Sequence, residues 1–190
     1  KLTQESRGKY FDRIRQSVQL MNNLLDDIII YNKASVGRIE FKPEPVNIEQ
    51  LCLNITREMQ YLAKGKAIID LTINNGNIEA KIDEKLVRQI LINLISNAIK
   101  FSISDSIINF EVSVNEDNVE FKIIDFGIGI PDKDKPNIFE PFYRGNNIGT
   151  SSGTGLGLAI VQNSVEAHNG KIEFESKENE GTQFIVTIPF

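Results

Sequence analysis

Apolar side chains at Phe11, Ile14, Val18, Met21, Leu25 and Ile28 recur at spacings of 3, 4, 3, 4 and 3, which is the a/d seam of a heptad helix. Arg13, Arg15, Gln16, Asn22, Asn23, Asp26 and Asp27 fall between them, so the opposite face is wet and the seam requires a partner helix. Gly37 fits a helix stop, and the stretch Lys42 to Pro45, with its two prolines, predicts a linker that cannot continue the helix. The domain boundary is placed there, with one unit over residues 1–42 and a second over 43–190.

Beyond the linker, Ile48 to Leu62 has helical spacing. Ala67 to Ile73 and Ile78 to Ile82 alternate around Asn74-Asn75-Gly76-Asn77, which predicts a hairpin. Asp83 is a good N-cap for a helix running to about Phe101, and two alternating strands follow, Ile107 to Val114 and Val119 to Asp125. Phe126 to Thr154 is poor in regular pattern and rich in glycine, a long mobile loop of the kind rarely kept without function. A last helix from about Gly155 to His168 stops at Asn169-Gly170, and strands Lys171 to Ser176 and Thr182 to Pro189 turn at Gly181. The sum predicts an α+β fold, a two-layer α/β sandwich with a mixed, largely antiparallel sheet and helices on one face, preceded by a long heptad helix.

Composition narrows the function. With 21 Lys and Arg against 26 Asp and Glu, the chain carries net charge -5, which argues against an unspecific grip on nucleic acid or anionic lipid. The single cysteine, Cys52, cannot form an internal disulfide, and no secretory signal or apolar run of membrane-spanning length is present. A cytoplasmic compartment is the expectation. Because the sequence starts at Lys1 inside a helical pattern, it is expected to be a piece of something longer, whose full length is open to a membrane tether.

Three features carry chemistry. On the helix after Asp83, Asn93, Asn97 and Lys100 fall within an arc of about 60°, opposite Ile90, Leu91, Leu94, Ile95 and Ala98. An amide oxygen suits Mg²⁺ and an ammonium suits phosphate, yet the same stripe also fits a solvated face. Asp125-Phe126-Gly127-Ile128-Gly129-Ile130-Pro131 places a carboxylate at a strand end. It can accept from an exocyclic amine such as adenine's, with glycines that let backbone approach a flat ligand, or it can be a plain Asp-Gly turn. Asp125-Phe126-Gly127 also matches the protein-kinase magnesium triplet, but no catalytic loop or lysine strand of that family precedes it. Gly153-Thr154-Gly155-Leu156-Gly157-Leu158 opens the last helix with bare N–H groups and a positive dipole end, a phosphate site or only a hinge. Upstream, Phe139-Glu140-Pro141-Phe142-Tyr143-Arg144-Gly145 offers aromatics beside one arginine, a lid anchor or a loop pinned by buried phenylalanine.

Taken in order, Asn93 to Phe101, Asp125 to Gly129, Phe139 to Phe142 and Gly153 to Gly157 resemble the N, G1, F and G2 boxes of sensor histidine kinases. The resemblance covers roughly Val46 to Phe190, and the heptad helix resembles the second helix of that family's dimerisation and histidine-phosphotransfer hairpin. It implies a Bergerat-type fold that binds ATP and Mg²⁺ and transfers the γ-phosphoryl to a histidine on the hairpin of its dimer, for relay to a response-regulator aspartate. By the same resemblance Asn97 is the Mg²⁺ ligand, Asn93 supports the phosphate side and Lys100 reaches phosphate oxygens. Asp125 reads the adenine amine, with Phe101, Gly127, Gly129, Ile130 and Thr182 around the base. Phe142, Tyr143 and Arg144 belong to the lid, and Gly153, Thr154, Gly155, Leu156, Gly157 and Leu158 bring amides to the triphosphate.

One departure stands out. The phosphoacceptor histidine of the first hairpin helix is absent, and the only histidine is His168, whose place at a helix C-terminus makes a cap or dipole contact the ordinary explanation. The chain is therefore expected to bind Mg-ATP without phosphorylating itself. The same ATP fold also serves serine-phosphorylating anti-sigma kinases and gyrase-like ATPases, and a degenerate, non-catalytic partner-binding module is the alternative from another class.

Overall fold

A computed structural model describes residues 40–75, 79–103, 105–145, 147 and 153–190, together with Phe11, Ile14, Arg15, Val18, Met21, Leu25, Ile28 and Ile29. Those eight positions are helical, as the heptad predicts. Phe11, Ile14, Val18, Met21 and Leu25 are exposed, so among the described residues the seam is uncovered. Gly37 lies outside the described residues, as do residue 146 and residues 148–152 of the long loop.

The elements that follow are β1 (Glu44–Asn47), α1 (Ile48–Ala63), β2 (Ala67–Asn74), β3 (Glu79–Ile82), α2 (Glu84–Phe101), β4 (Ser106–Val114) and β5 (Asn118–Asp125). A 3₁₀ turn (Lys135–Asn137), α3 (Gly157–Ala167), β6 (Lys171–Lys177) and β7 (Gly181–Pro189) complete them. Both long helices start as their caps require. The Asn47 side chain accepts from the Gln50 N–H at 2.8 Å, and the Asp83 side chain accepts from the Leu86 N–H at 3.1 Å.

The main sheet has the order β2-β4-β5-β7-β6, with β2 parallel to β4 and the remaining pairs antiparallel. Alternate residues of its strands, among them Ile108, Phe110, Val112, Phe121, Ile123, Val186 and Ile188, are buried. Ile55 and Met59 of α1, Ile90, Leu91, Leu94 and Ile95 of α2 and Val161 and Val165 of α3 complete one core with them. Burying a side chain of this size contributes about 1.5–3 kcal/mol, so the core fixes which face of α2 is left for solvent and ligand.

Two expectations are corrected. Ala67–Asn74 and Glu79–Ile82 do not pair as a hairpin: β2 joins β4 with Ala67 opposite Ser106, while β3 pairs antiparallel with β1 in a separate two-stranded sheet. Alternation marks a strand, but its partner is set by the global fold. Glu44 and Pro45, expected in a linker, belong to β1, a two-stranded edge on which proline is tolerated.

The start of β2 is capped along its edge by one side chain. Gln60 Nε2 donates to the Ala67 carbonyl at 3.0 Å and Gln60 Oε1 accepts from the Ile69 N–H at 2.8 Å. At the end of α3, His168 is buried, with Nδ1 donating to the Ser164 carbonyl at 2.9 Å as a helix-end contact and Nε2 accepting from the Asp83 N–H at 3.1 Å.

Candidate functional site

The amphipathic design of α2 decides where ligand chemistry sits. Its core face is buried, so Asn93, Asn97 and Lys100 are left half-buried on the other side. They line a cavity of about 830 Å³ together with residues from β5, the long loop, α3 and β7. A cleft of that size is in the ordinary range for a small-molecule site.

Asp125 stands at one end, where β5 leaves the sheet opposite Thr182 of β7. Burial pushes its carboxyl up to about 6, while hydrogen bonding from the Gly127 and Thr182 backbone pulls it part of the way back. The Gly127 N–H donates to Oδ1 at 2.9 Å, so the carboxylate also makes the plain turn that its motif suggests. Ser176 builds the wall beside it: Oγ accepts from the Ile130 N–H at 2.8 Å, donates to the Gly181 carbonyl at 2.9 Å and lies 3.0 Å from Thr182 Oγ1.

The glycines of this loop are required by backbone packing, and Gly129 also lines the cavity. A Cβ on Gly127 would collide with the Phe101 carbonyl, and one on Gly129, whose φ is +63°, with the Lys177 carbonyl. The loop is thereby clamped between the end of α2 and the β6–β7 turn, with the Ile128 N–H donating to Phe101 O at 3.2 Å and the Asn179 N–H to Ile128 O at 2.8 Å. Gly129→Ala is expected to cost about 3 kcal/mol or more of stability, from positive φ and a backbone clash together. Urea unfolding reads it, and an unchanged midpoint would contradict this account of the loop.

The other end of the cavity is cationic. Burial, then the neighbouring Arg144 and Lys66, hold the Lys100 ammonium below its usual range. Lys100 Nζ lies 4.4 Å from the Phe101 ring centroid and faces Gly153, where a Cβ would stand 2.8 Å from it. Asn93 Nδ2 donates back to Gln89 O at 2.9 Å, which points Oδ1 at Gly157. The start of α3 has no side-chain cap, so its first-turn N–H groups lack helix partners at this wall. Two cations, an amide stripe and a positive helix end have the chemistry that suits a polyanionic phosphate.

Of the residues singled out from the sequence, Asn93, Asn97, Lys100, Phe101, Asp125, Gly129, Ile130, Tyr143, Arg144, Gly153, Thr154, Gly155, Gly157, Leu158 and Thr182 line the cavity. Gly127, Phe142 and Leu156 do not. Gly127 is sealed against Phe101, Leu156 is fully buried with its N–H donating to Thr154 Oγ1 at 3.1 Å, and Phe142 is 60% exposed at φ +65°. Loop anchoring falls instead to Phe139, edge-on to Phe174 at 5.9 Å, and to Tyr143, whose hydroxyl donates to Asp134 at 2.8 Å.

Lys85, Arg88, Gln89, Ile92 and Ser96 also line the cavity. Lys85, Arg88, Gln89 and Ile92 continue the Asn93 stripe toward the start of α2 at spacings of three and four, and Ser96 widens it beyond Asn93, a signal present in the sequence. Arg88 is tied to Glu58 of α1 by an ion pair.

A family model described as histidine kinase-, DNA gyrase B- and HSP90-like ATPase matches residues 82–190. The circadian input-output histidine kinase CikA of Synechococcus elongatus is 34% identical over 193 residues, covering 97% of this chain and 25% of its own length. The sensor histidine kinase WalK of Bacillus subtilis is 31% identical over 180 residues, covering 93% of this chain and 30% of its own. Full-length ShkA in complex with AMPPNP superposes with a TM-score of 0.81 at 29% identity, over 100% of this chain and 40% of that one. The chain thus spans about a quarter to a third of the two curated relatives.

Proposed function

Since the chain belongs to the histidine kinase-, DNA gyrase B- and HSP90-like ATPase family, we propose that it is the Mg-ATP-binding catalytic core of a sensor histidine kinase. The carrying observation is the polarity of the cavity, with a buried acceptor, Asp125, at one end and Lys100, Arg144 and the uncapped start of α3 at the other. A purine amine at the first end and a triphosphate at the second meet complementary groups.

In this reading Asp125 accepts from the adenine amine, with Phe101, Gly129, Ile130 and Thr182 around the base. Lys100, Arg144 and the amides of Gly157 and Leu158 neutralise the phosphates, and Asn93 braces the α3 start beside them. Asn97 fits a magnesium ligand. Its side chain makes no hydrogen bond to any described residue, it faces the cavity, and one amide oxygen plus phosphates and waters suits this ion. Among the described residues no cluster of three carboxylate, histidine or cysteine groups offers an all-protein cage. Bound Mg²⁺ would supply charge neutralisation between phosphate oxygens. Phosphoryl transfer needs little covalent help, so these side chains act by positioning and charge.

The acceptor in this proposal is a histidine on the dimerisation helix of the kinase, and the partner downstream is a response-regulator receiver domain. Residues 1–42 are proposed to be the second helix of that dimerisation hairpin, with the homodimer formed through its seam. His168 is excluded as acceptor by burial and by the engagement of both ring nitrogens. Among the described residues no helix is long and apolar enough to cross a membrane, and we place this part of the protein in the cytoplasm, where ATP is supplied. The heptad segment favours the kinase over a gyrase-like ATPase.

Calorimetric titration of AMPPNP with and without Mg²⁺ tests the reading. Saturable binding strengthened by Mg²⁺ is expected. Absence of binding would overturn it in favour of the partner-binding module.

A further inference from the structure

The chain segment that enters the nucleotide-binding unit is gripped by the two helices that flank the cavity. The Lys42 N–H donates to Asp83 Oδ2 at 2.8 Å while Asp83 Oδ1 accepts from the Leu86 N–H, so one carboxylate both caps α2 and holds the entering chain. The Asp83 N–H donates to His168 Nε2, and His168 Nδ1 donates to the Ser164 carbonyl in the last turn of α3. A carbonyl only accepts and a backbone N–H only donates, so this pair of bonds fixes the neutral Nδ1–H tautomer. The Phe41 ring packs edge-on against the His168 ring, with centroids 4.9 Å apart. Immediately afterwards β1 pairs with β3, the strand that leads into Asp83.

Residues 41 and 42, the start of α2 and the end of α3 therefore meet at one clasp. At about 1.5 Å per residue, α2 runs about 15 Å from the clasp to Asn93, and α3 runs back over about 16 Å to Gly157. There Asn93 Oδ1 stands directly against Gly157, at the cationic end of the cavity. The helices are stiff and pack against each other between these two places, so a displacement at the clasp reaches the cavity end. Neither Lys42 nor His168 lines the cavity, so the clasp acts on the ligand only through this placement.

Building on the function proposed above, we propose that the Phe41-Lys42/Asp83-His168 clasp is a positioning device for the nucleotide site. Closing the clasp and binding Mg-nucleotide against the Asn93–Gly157 contact favour the same relative placement of α2 and α3. The two events are thermodynamically coupled, and a pull on the chain before Phe41 is read out as nucleotide affinity. Asp83 and His168 are positioning residues in this scheme, since neither lines the cavity.

Coupling is reciprocal, which makes it measurable from both ends. Hydrogen exchange of the Lys42 amide, followed by NMR in the unmodified chain, is expected to slow by about fivefold or more at saturating Mg-AMPPNP. Lys42→Pro deletes the donor at a position already followed by Pro43, and is expected to weaken Mg-AMPPNP binding by the same factor. A purely structural clasp would leave Lys42 exchange unchanged, or slowed only in step with amides that exchange through global unfolding, which any ligand of the folded state slows. Saturable binding with unchanged Lys42 exchange would overturn the coupling while leaving the nucleotide site standing, and absence of any binding would remove both. If the proline variant fails to fold, the exchange measurement on the unmodified chain decides alone.

Discussion

Asp125→Asn is expected to make the protein more stable at pH 7 and less able to tell adenine from guanine. The Asp125 carboxyl is raised from 3.8 to about 6 mainly by burial, so its ionised form costs the folded state free energy at neutral pH. Raising it that far corresponds to about 3 kcal/mol. The sign follows from proton binding. Between about pH 4 and 6 the folded chain holds this proton more tightly than the unfolded one, so this group stabilises the fold progressively as pH falls through that window. The cost is fully present above about 6. Asparagine keeps an oxygen for the Gly127 N–H and removes the buried charge.

The same replacement turns an acceptor into a donor where the purine amine would lie. Competition between ATP and GTP should therefore shift toward the 6-oxo purine, and binding by the unmodified protein should weaken more steeply than the variant's as pH drops below about 6, since protonation of the nucleotide's own phosphate weakens both. Urea unfolding at pH 7 and pH 5, beside nucleotide competition at both, measures the whole set. His168 acts in the opposite direction, because burial lowers its pKa below 6.5 and stability from its neutral form is lost as pH falls through that region. The difference between variant and unmodified protein isolates Asp125. A variant destabilised at pH 7, or losing ATP and GTP equally, would contradict the assignment.

Asn97→Ala is the second large effect. Asn97 sits on the cavity face of α2 with no hydrogen bond to a described residue, and its neighbours Leu94, Ile95 and Ala98 form the buried face. Truncation leaves no cavity in the core and no orphaned partner, and alanine is the better helix former, so unfolding should stay within about 0.5 kcal/mol of the unmodified protein. Mg²⁺-dependent strengthening of AMPPNP binding should nevertheless fall on the order of 100-fold, since the only protein oxygen proposed for the ion is gone. Calorimetry in Mg²⁺ and in EDTA separates the two. Equal Mg²⁺ dependence in both proteins would sink the metal assignment.

What the sequence makes legible here is whatever is decided locally. The α2 boundaries follow from Asp83 and the apolar rows, and the β4–β5 and β6–β7 hairpins follow from alternation with one buried face. The hairpin expected at Asn74–Asn77 fails because β2 finds its partner across a crossover that contains β3 and α2. No local pattern encodes that choice. At the site, the amide stripe is visible because α2 has only one face free, while the purpose of Gly127 and Gly129 is hidden, since Phe101 and Lys177 are remote in sequence. The second bond of His168 joins residues 85 apart, and only folding brings them together.

Gln60 carries a further consequence, for the order in which the sheet becomes safe. Its amide imitates a missing strand at the outer edge of β2 through contacts only seven and nine residues away, a short loop that closes early and cheaply. The inner edge of β2 must wait for Ser106, 39 residues beyond Ala67. A terminator for the first residues of β2 can thus be in place before the sheet itself, which biases the start of the strand toward recruiting its neighbour on the inner edge while the chain is still assembling.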